Sequence, residues 1–259
     1  MRNYRGTVLL LSLLAIGLPI GLGTFRSQST ECRQNARPAQ AILDKTKWPV
    51  VAYDAPGSAD AKLRSIRESR GKRYDKSMFR VHPLDPSDTT YLTHSDTDLL
   101  PPLPVTQSNA ILISEVLDAK AYLSDDKTGV YSEFTVRVEE VLKSDGEPSV
   151  AQGDSIAVQR QGGRVQFSSG QIHMYFVSKE NMPEVGQRYI FFLKGIEAEQ
   201  AFRLLTGYVL IDGKVFPLDE HKQFETHKGA DLATFINEIK RVIIYLTQDK
   251  QFISAYRSN

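Results

Sequence analysis

The chain has 259 residues, 41% of them hydrophobic and 24% charged, a globular texture that excludes collagen-like, wholly disordered and polytopic membrane classes. Its 32 Lys and Arg nearly cancel its 31 Asp and Glu, so no global field draws in nucleic acid or an acidic membrane. A single cysteine, Cys32, excludes an intramolecular disulfide, a paired redox motif and any zinc site that needs two thiolates, which leaves stability to an apolar core.

Arg2 and Arg5 precede an uncharged run from Gly6 to Phe25. As a helix this run spans about 30 Å, enough to cross a bilayer. The basic start, the leucine-rich centre, Pro19 and the small residues Gly21 and Gly23 equally describe a signal peptide. Residues 1–25 are therefore expected to be a signal peptide or a transmembrane anchor, both readings standing open, with 7–25 touching the membrane if uncleaved. Arg26, Arg33 and Arg37 on the far side rival the two leading arginines, so charge orients the segment weakly. A long domain behind a basic, leucine-rich start gives the expected address: extracytoplasmic, membrane-anchored or secreted. Cys32 follows Ser29-Thr30-Glu31, and a charged residue in that place argues against a lipid-attachment cysteine.

Residues 26–108 lack sustained periodicity and carry Pro38, Pro49, Pro56, Pro83, Pro86, Pro101, Pro102 and Pro104, the composition of a linker. Two short helices are expected in it, over 39–47 and over 59–70, the second capped by Ser58 or Asp60. A basic block from Lys62 to Arg80 reads as solvated chain.

At Asn109 the texture changes to short β-rich runs between turn residues, so 109–228 is expected to be a β-domain. Strands are predicted over 110–121, 130–142, 155–160, 164–168, 171–177, 189–194, 202–211 and 214–218. Asp125 to Gly129 closes the first hairpin, and Asp212-Gly213 is the dipeptide a two-residue type I′ turn prefers. Phe134, Val136 and Val138 alternate with Thr135, Arg137 and Glu139, the period of a sheet with one apolar face. Tyr189 to Leu193 is apolar at every position, which requires cover on both faces. The cover is expected from a helix over 229–248, where Leu232, Phe235, Ile236, Ile239, Val242, Ile243 and Leu246 form one stripe and Gly229 or Asp231 caps the start. Residues 249–259 are left as a tail.

The stretch from Ala110 to Leu218 resembles a domain of uncharacterised exported bacterial proteins. The resemblance rests on Ile111-Leu112-Ile113-Ser114-Glu115-Val116, on Tyr131 through Lys143, on Arg160-Gln161-Gly162-Gly163, and on Val185 through Leu193. It implies a mainly β fold: a small, closed β-barrel of OB-like architecture, distantly similar to netrin and metalloprotease-inhibitor modules. The C-terminal amphipathic α-helix would pack on it, behind the signal or anchor helix and the Pro-rich linker. The family supplies no catalytic residues.

Nucleotide-binding loops, His-Glu-x-x-His and the G-x-S-x-G elbow are not found in the sequence, and no cofactor is expected. The residues with metal-ligand chemistry are His82, Asp85, His94, Asp96 and Asp98, two imidazoles and three carboxylates in the linker-like region. His221, Glu225 and His227 are a smaller set whose spacing fits no helix face. Arg160, Gly162, Gly163 and Arg164 form an anion-binding candidate, since glycines free backbone amides to point at an anion between two arginines. Glu139 and Glu140 fall on opposite strand faces and do not act as an acid–base pair. The expected function is a non-catalytic extracytoplasmic module binding a protein or a cell-envelope polymer, with nucleic acid not expected as a partner. The alternatives are an enzyme with a His/Asp metal site and an oligonucleotide- or glycan-binding barrel.

Overall fold

In the computed structural model, which describes residues 45–57, 59–76, 79–81, 90–93 and 99–257, the elements run in chain order as β1 (Val50–Ala52), α1 (Ala61–Lys72), β2 (Phe79–Val81), β3 (Thr90–Thr93), β4 (Ala110–Leu123), β5 (Val130–Ser144), β6 (Ser155–Gln161), β7 (Gly163–Gln166), β8 (Ile172–Val177), β9 (Arg188–Ile196), β10 (Ala201–Ile211), β11 (Lys214–Pro217), β12 (Ala230–Asp231) and α2 (Leu232–Arg257). Among the described residues the protein is mainly β, with a C-terminal helix. Residues 1–25, the first part of the helix expected over 39–47, and His82, Asp85, His94, Asp96 and Asp98 lie outside the described residues. Among the described residues no helix is long and apolar enough to cross a membrane.

The seven-stranded sheet has the order β12-β11-β10-β6-β5-β4-β9, and β9 pairs again with β10. Strands β10, β6, β5, β4 and β9 thus form a cycle of paired strands. All its contacts are antiparallel except that of β6 with β10, which is parallel through Val158 and Gln159 opposite Phe202 and Arg203. The β4–β5 hairpin is long enough to take part in this curvature because its register shifts at Ile111/Leu112, Ile113/Ser114 and Val116/Asp118, and each irregularity bends and twists a strand. Between β10 and β11, Asp212 and Gly213 both take positive φ, 49° and 72°, as the predicted turn requires.

The period of two decides which side chains go where. Leu112, Val116, Phe134, Val136, Val138, Val158, Tyr189, Phe191, Leu193 and Phe202 fill one cluster within the cycle. Ile111, Ile113, Ile190, Phe192 and Tyr208, the alternate residues, form a second cluster with Phe235 and Ile239 of α2. The run Tyr189 to Leu193 is therefore apolar throughout because β9 is covered on both faces, by the interior on one side and by α2 on the other. Phe235 and Ile239 are fully buried and contribute about 1.5–3 kcal/mol each, whereas Leu232, Ile236, Val242, Ile243 and Leu246 pack only partly buried at the margin. Asp231 caps α2, its Oδ1 accepting from the Thr234 amide at 3.0 Å.

The described parts of the stretch expected to be linker-like are built into the fold. They supply β1, β3 and β2 to a five-stranded sheet of order β1-β7-β8-β3-β2, in which β1 runs parallel to β7 and β3 parallel to β8. Trp48 is 4% exposed in the main cluster and Val105 is 1% exposed in the cluster under α2. The proline-rich run 101–104 lies against that same cluster, with the Tyr208 hydroxyl donating to the Pro102 carbonyl at 2.8 Å. Prolines hold a chain extended, and extended chain packs on a sheet as readily as it crosses solvent. The anchors are single residues at irregular spacing, which no periodicity reveals.

Candidate functional site

The glycine-rich loop is where the chain passes from one sheet to the other. β6 ends at Gln161 and β7 begins at Gly163 in the five-stranded sheet, so Gly162 (φ 107°) marks a crossing rather than a hairpin. A side chain there has no room, since a Cβ would stand 2.9 Å from the Tyr175 carbonyl oxygen. The four residues expected to hold an anion face different partners. The Gly162 amide donates to the Val130 carbonyl at 2.8 Å, and Gly163 pairs with Tyr175 in the sheet. Arg164 donates from Nε to the Trp48 carbonyl at 2.9 Å. Arg160 turns inward. The loop thus presents no shared set of amides and guanidiniums to an anion.

Arg160 is 1% exposed and ion-paired through Nη2 with Asp219 at 2.7 Å and Glu180 at 3.2 Å. Asp219 also accepts from the Thr206 hydroxyl at 2.9 Å and from the Asn181 amide at 3.1 Å. Asn181 in turn donates to the Leu218 carbonyl at 3.1 Å. Burial pushes the Asp219 carboxyl above its ordinary range even with Arg160 beside it. Burial pulls the Arg160 guanidinium down, but Asp219 and Glu180 outweigh it and hold it above its usual value. The network ties β6, the connection between β8 and β9, β10 and the segment after β11 together, which is a structural task. Among the described residues, Arg160 Nε and Nη1 are buried without a hydrogen-bond partner, and the guanidinium is held by its acids through Nη2.

The second polar assembly lies on the outer face of β5 and β6, and α1 is its centre. Asp60 caps α1, accepting from the Lys62 and Leu63 amides at 2.8 and 3.2 Å. Arg67, Arg70 and Arg73 recur every third residue and so share a side of the helix. Arg70 pairs with both Glu133 of β5 and Glu199, which stands in a 3-10 turn between β9 and β10 and whose side chain is 5% exposed. Arg73 pairs with Glu199 and donates to the Gln159 side-chain oxygen of β6 at 3.1 Å. The Gln159 amide donates to Glu199 at 3.0 Å. Arg67 lies over the Tyr122 ring at 4.7 Å. Just beyond the helix, Tyr74 is 4% exposed and stacks on Tyr131 at 4.7 Å, and burial raises the pKa of both phenols.

The end of α1 is also fitted to the β4–β5 loop. A Cβ on Gly71 would stand 2.9 Å from the Asp125 amide nitrogen. The Lys76 amide donates to the Thr128 hydroxyl at 2.8 Å, and the Asp126 amide donates to Asp75 at 3.0 Å. Lys62, Arg64 and Lys72 remain exposed, so the basic block read as solvated chain is split: Arg70 and Arg73 pair with Glu133 and Glu199, while the outer cations face water. Sequence reasoning missed this constellation. The available signal was the three-residue arginine spacing ending in Tyr74, together with Tyr131 and Glu133 on one face of β5.

The remaining candidates have structural surroundings. His221 precedes the 3-10 turn Lys222–His227 and His227 ends it, with His221 against Phe224 at 5.9 Å and His227 against Phe235 at 5.1 Å. Among the described residues no three His, Cys, Asp or Glu side chains gather as a metal site would. Glu139 pairs with Arg188 and Glu140 with Lys240, on opposite faces of β5. Tyr131, Phe134, Tyr189, Phe191, Phe192, Phe202 and Tyr208 are buried, which takes their rings out of reach of a base or sugar. No protein-family model matches the chain, and no curated protein matches it significantly.

Proposed function

We propose that the protein is a non-catalytic, extracytoplasmic binding module, exported or anchored by its apolar N-terminal segment, whose strand cycle is an OB-like closed barrel presenting a protein-binding face. The pairing order β10-β6-β5-β4-β9 with β6 parallel to β10 supports this reading of the cycle. In such barrels the second and third strands, with the first and fourth connecting loops, form the ligand face. Here those parts are β5, β6, the loop 124–129 and the turn 197–200.

The observation that carries the proposal is that this face already grips a peptide segment, α1, through side-chain ion pairs and one aromatic stack. Two glutamates at its centre favour a cationic protein ligand and oppose a polyanion, which sets nucleic acid aside on electrostatic grounds. A cell-envelope polymer is the second ligand class.

Cell fractionation with N-terminal sequencing tests the address. Recovery from the membrane or extracytoplasmic fraction, cleaved or uncleaved, supports the module reading, and an intact N-terminus recovered from the cytosol overturns it. Hydrolase turnover that disappears in a His82→Ala/His94→Ala double variant would overturn the non-catalytic part.

A further inference from the structure

We infer that the face lined by Glu133, Gln159, Glu199, Tyr122 and Tyr131 is a receptor for an arginine-presenting helix, that α1 is its resident occupant in cis, and that a partner protein's helix of the same pattern takes its place. The inference rests on the reading of this face as the ligand surface and names the class of partner it selects.

Three observations carry it. First, the core is complete without α1: neither the cluster inside the strand cycle nor the one under α2 contains an α1 side chain. The helix can therefore leave without opening either cluster, with Tyr131 losing the stacked Tyr74. Second, α1 is held by groups that trade readily between partners. Within the helix only Gly71 is buried, Ala61 to Ser65 are all exposed, and Leu63 points an aliphatic side chain at solvent with 46% exposure. The hold comes from Arg70 and Arg73 on Glu133 and Glu199, from Arg67 on Tyr122, from Tyr74 on Tyr131 and, just past the helix end, from Lys76 on Thr128 and Asp75 on the Asp126 amide. Third, the seat is specific in charge and shape. Its two carboxylates are bridged by Arg70, and Gln159 accepts from Arg73 while donating to Glu199. A guanidinium fork satisfies two acceptors at once where an ammonium does not.

A helix departing from this seat leaves Glu199, 5% exposed in the closed state, to be hydrated or paired anew. Exchange with an equivalent helix replaces like with like, so the equilibrium turns on small differences in fit, as a displaceable occupant requires.

The test uses the full chain and a fluorescein-labelled synthetic peptide of residues 59–76, followed by fluorescence anisotropy. In the wild-type protein the seat is filled. In Arg70→Glu/Arg73→Glu the resident helix is repelled and the seat opens, which limited trypsin cleavage at Arg64 and Arg67 reports independently. The expected result is faster cleavage and peptide binding about tenfold or more tighter to this variant than to wild type. Binding should weaken as NaCl rises from about 50 to about 500 mM. A peptide carrying the same two reversals should not bind. A Gly71→Leu variant, which pushes the helix end off the Asp125 backbone without altering charge, should also bind the peptide more tightly than wild type.

Continued protection from trypsin in the charge-reversed variant overturns the inference, because the ion pairs would then not be what holds α1. So does equal binding of the native and reversed peptides, or no gain over wild type in either variant while both still melt cooperatively. A cytosolic address would refute the module's proposed location without touching peptide exchange, so the two failures are distinguishable.

Discussion

Replacing Arg160 with methionine isolates the energetics of the buried network. Methionine fills much of the same unbranched volume but leaves Asp219, whose side chain is fully buried, with only the Thr206 hydroxyl at 2.9 Å and the Asn181 amide at 3.1 Å. Glu180, whose side chain is 12% exposed, also loses its 3.2 Å pairing with Arg160. Removing one member of a buried ion pair costs about 3–5 kcal/mol because a charge is stranded. In a protein of this size about 2–4 °C of melting temperature goes with each kcal/mol, so Arg160→Met should melt roughly 6–20 °C below wild type near neutral pH. Adding Asp219→Asn removes the stranded charge and keeps Oδ1 as acceptor for the Asn181 amide, while its Nδ2 replaces the oxygen that accepted from Thr206 and can donate to that hydroxyl, so the double variant should recover much of the loss, a positive coupling in a double-mutant cycle.

The pH dependence has a definite sign. A carboxyl whose folded pKa lies above its unfolded value, as burial makes that of Asp219, binds more protons in the folded state, and its penalty grows as pH rises through the folded pKa. Losing Arg160 removes the charge that opposes burial, so the deficit of the single variant should shrink on acidification. Thermal melts across pH, read by circular dichroism, give both quantities. A single variant within about 2 °C of wild type, or no recovery in the double variant, refutes the reasoning.

Three further outcomes are expected. Gly195→Ala sets a Cβ 2.2 Å from the Glu147 carbonyl oxygen, a backbone atom that cannot swing away, so denaturant titration should show a loss at the upper end of about 1–3 kcal/mol or beyond. Phe235→Ala removes a ring that is 1% exposed against Tyr208 and His227, and the same titration should show about 3–5 kcal/mol lost, with α2 amides exchanging faster. Burial works against an ionised Asp126, yet hydrogen bonds from the Thr128 hydroxyl and amide and the Ser124 hydroxyl hold its carboxyl down at about 2. Its contribution is present above its ordinary pKa of 3.8 and is lost as pH falls toward about 2, so the stability gap between wild type and Asp126→Ala should narrow over that window.

Local pattern by itself determined the strands from Ala110 to Pro217, the turn at Asp212-Gly213 and the apolar stripe of α2, because each is written in residues one to four apart. It also determined that β9 is covered on both sides, since an unbroken run from Tyr189 to Leu193 has no wet face. Tertiary structure alone decided the rest. The parallel pairings of β1 with β7 and β3 with β8 join segments that carry no mutual signal, and they turned described parts of an expected linker into three of the five strands of a sheet. Arg160 looked like a surface arginine beside a glycine loop until Asp219, 59 residues away, claimed it. The arginines of α1 read as solvated charge until Glu199, 126 residues beyond Arg73, was brought beneath them. A charged side chain is soluble or structural according to what the fold sets opposite it, and that partner is chosen by chain topology, which neither hydrophobic period nor composition encodes.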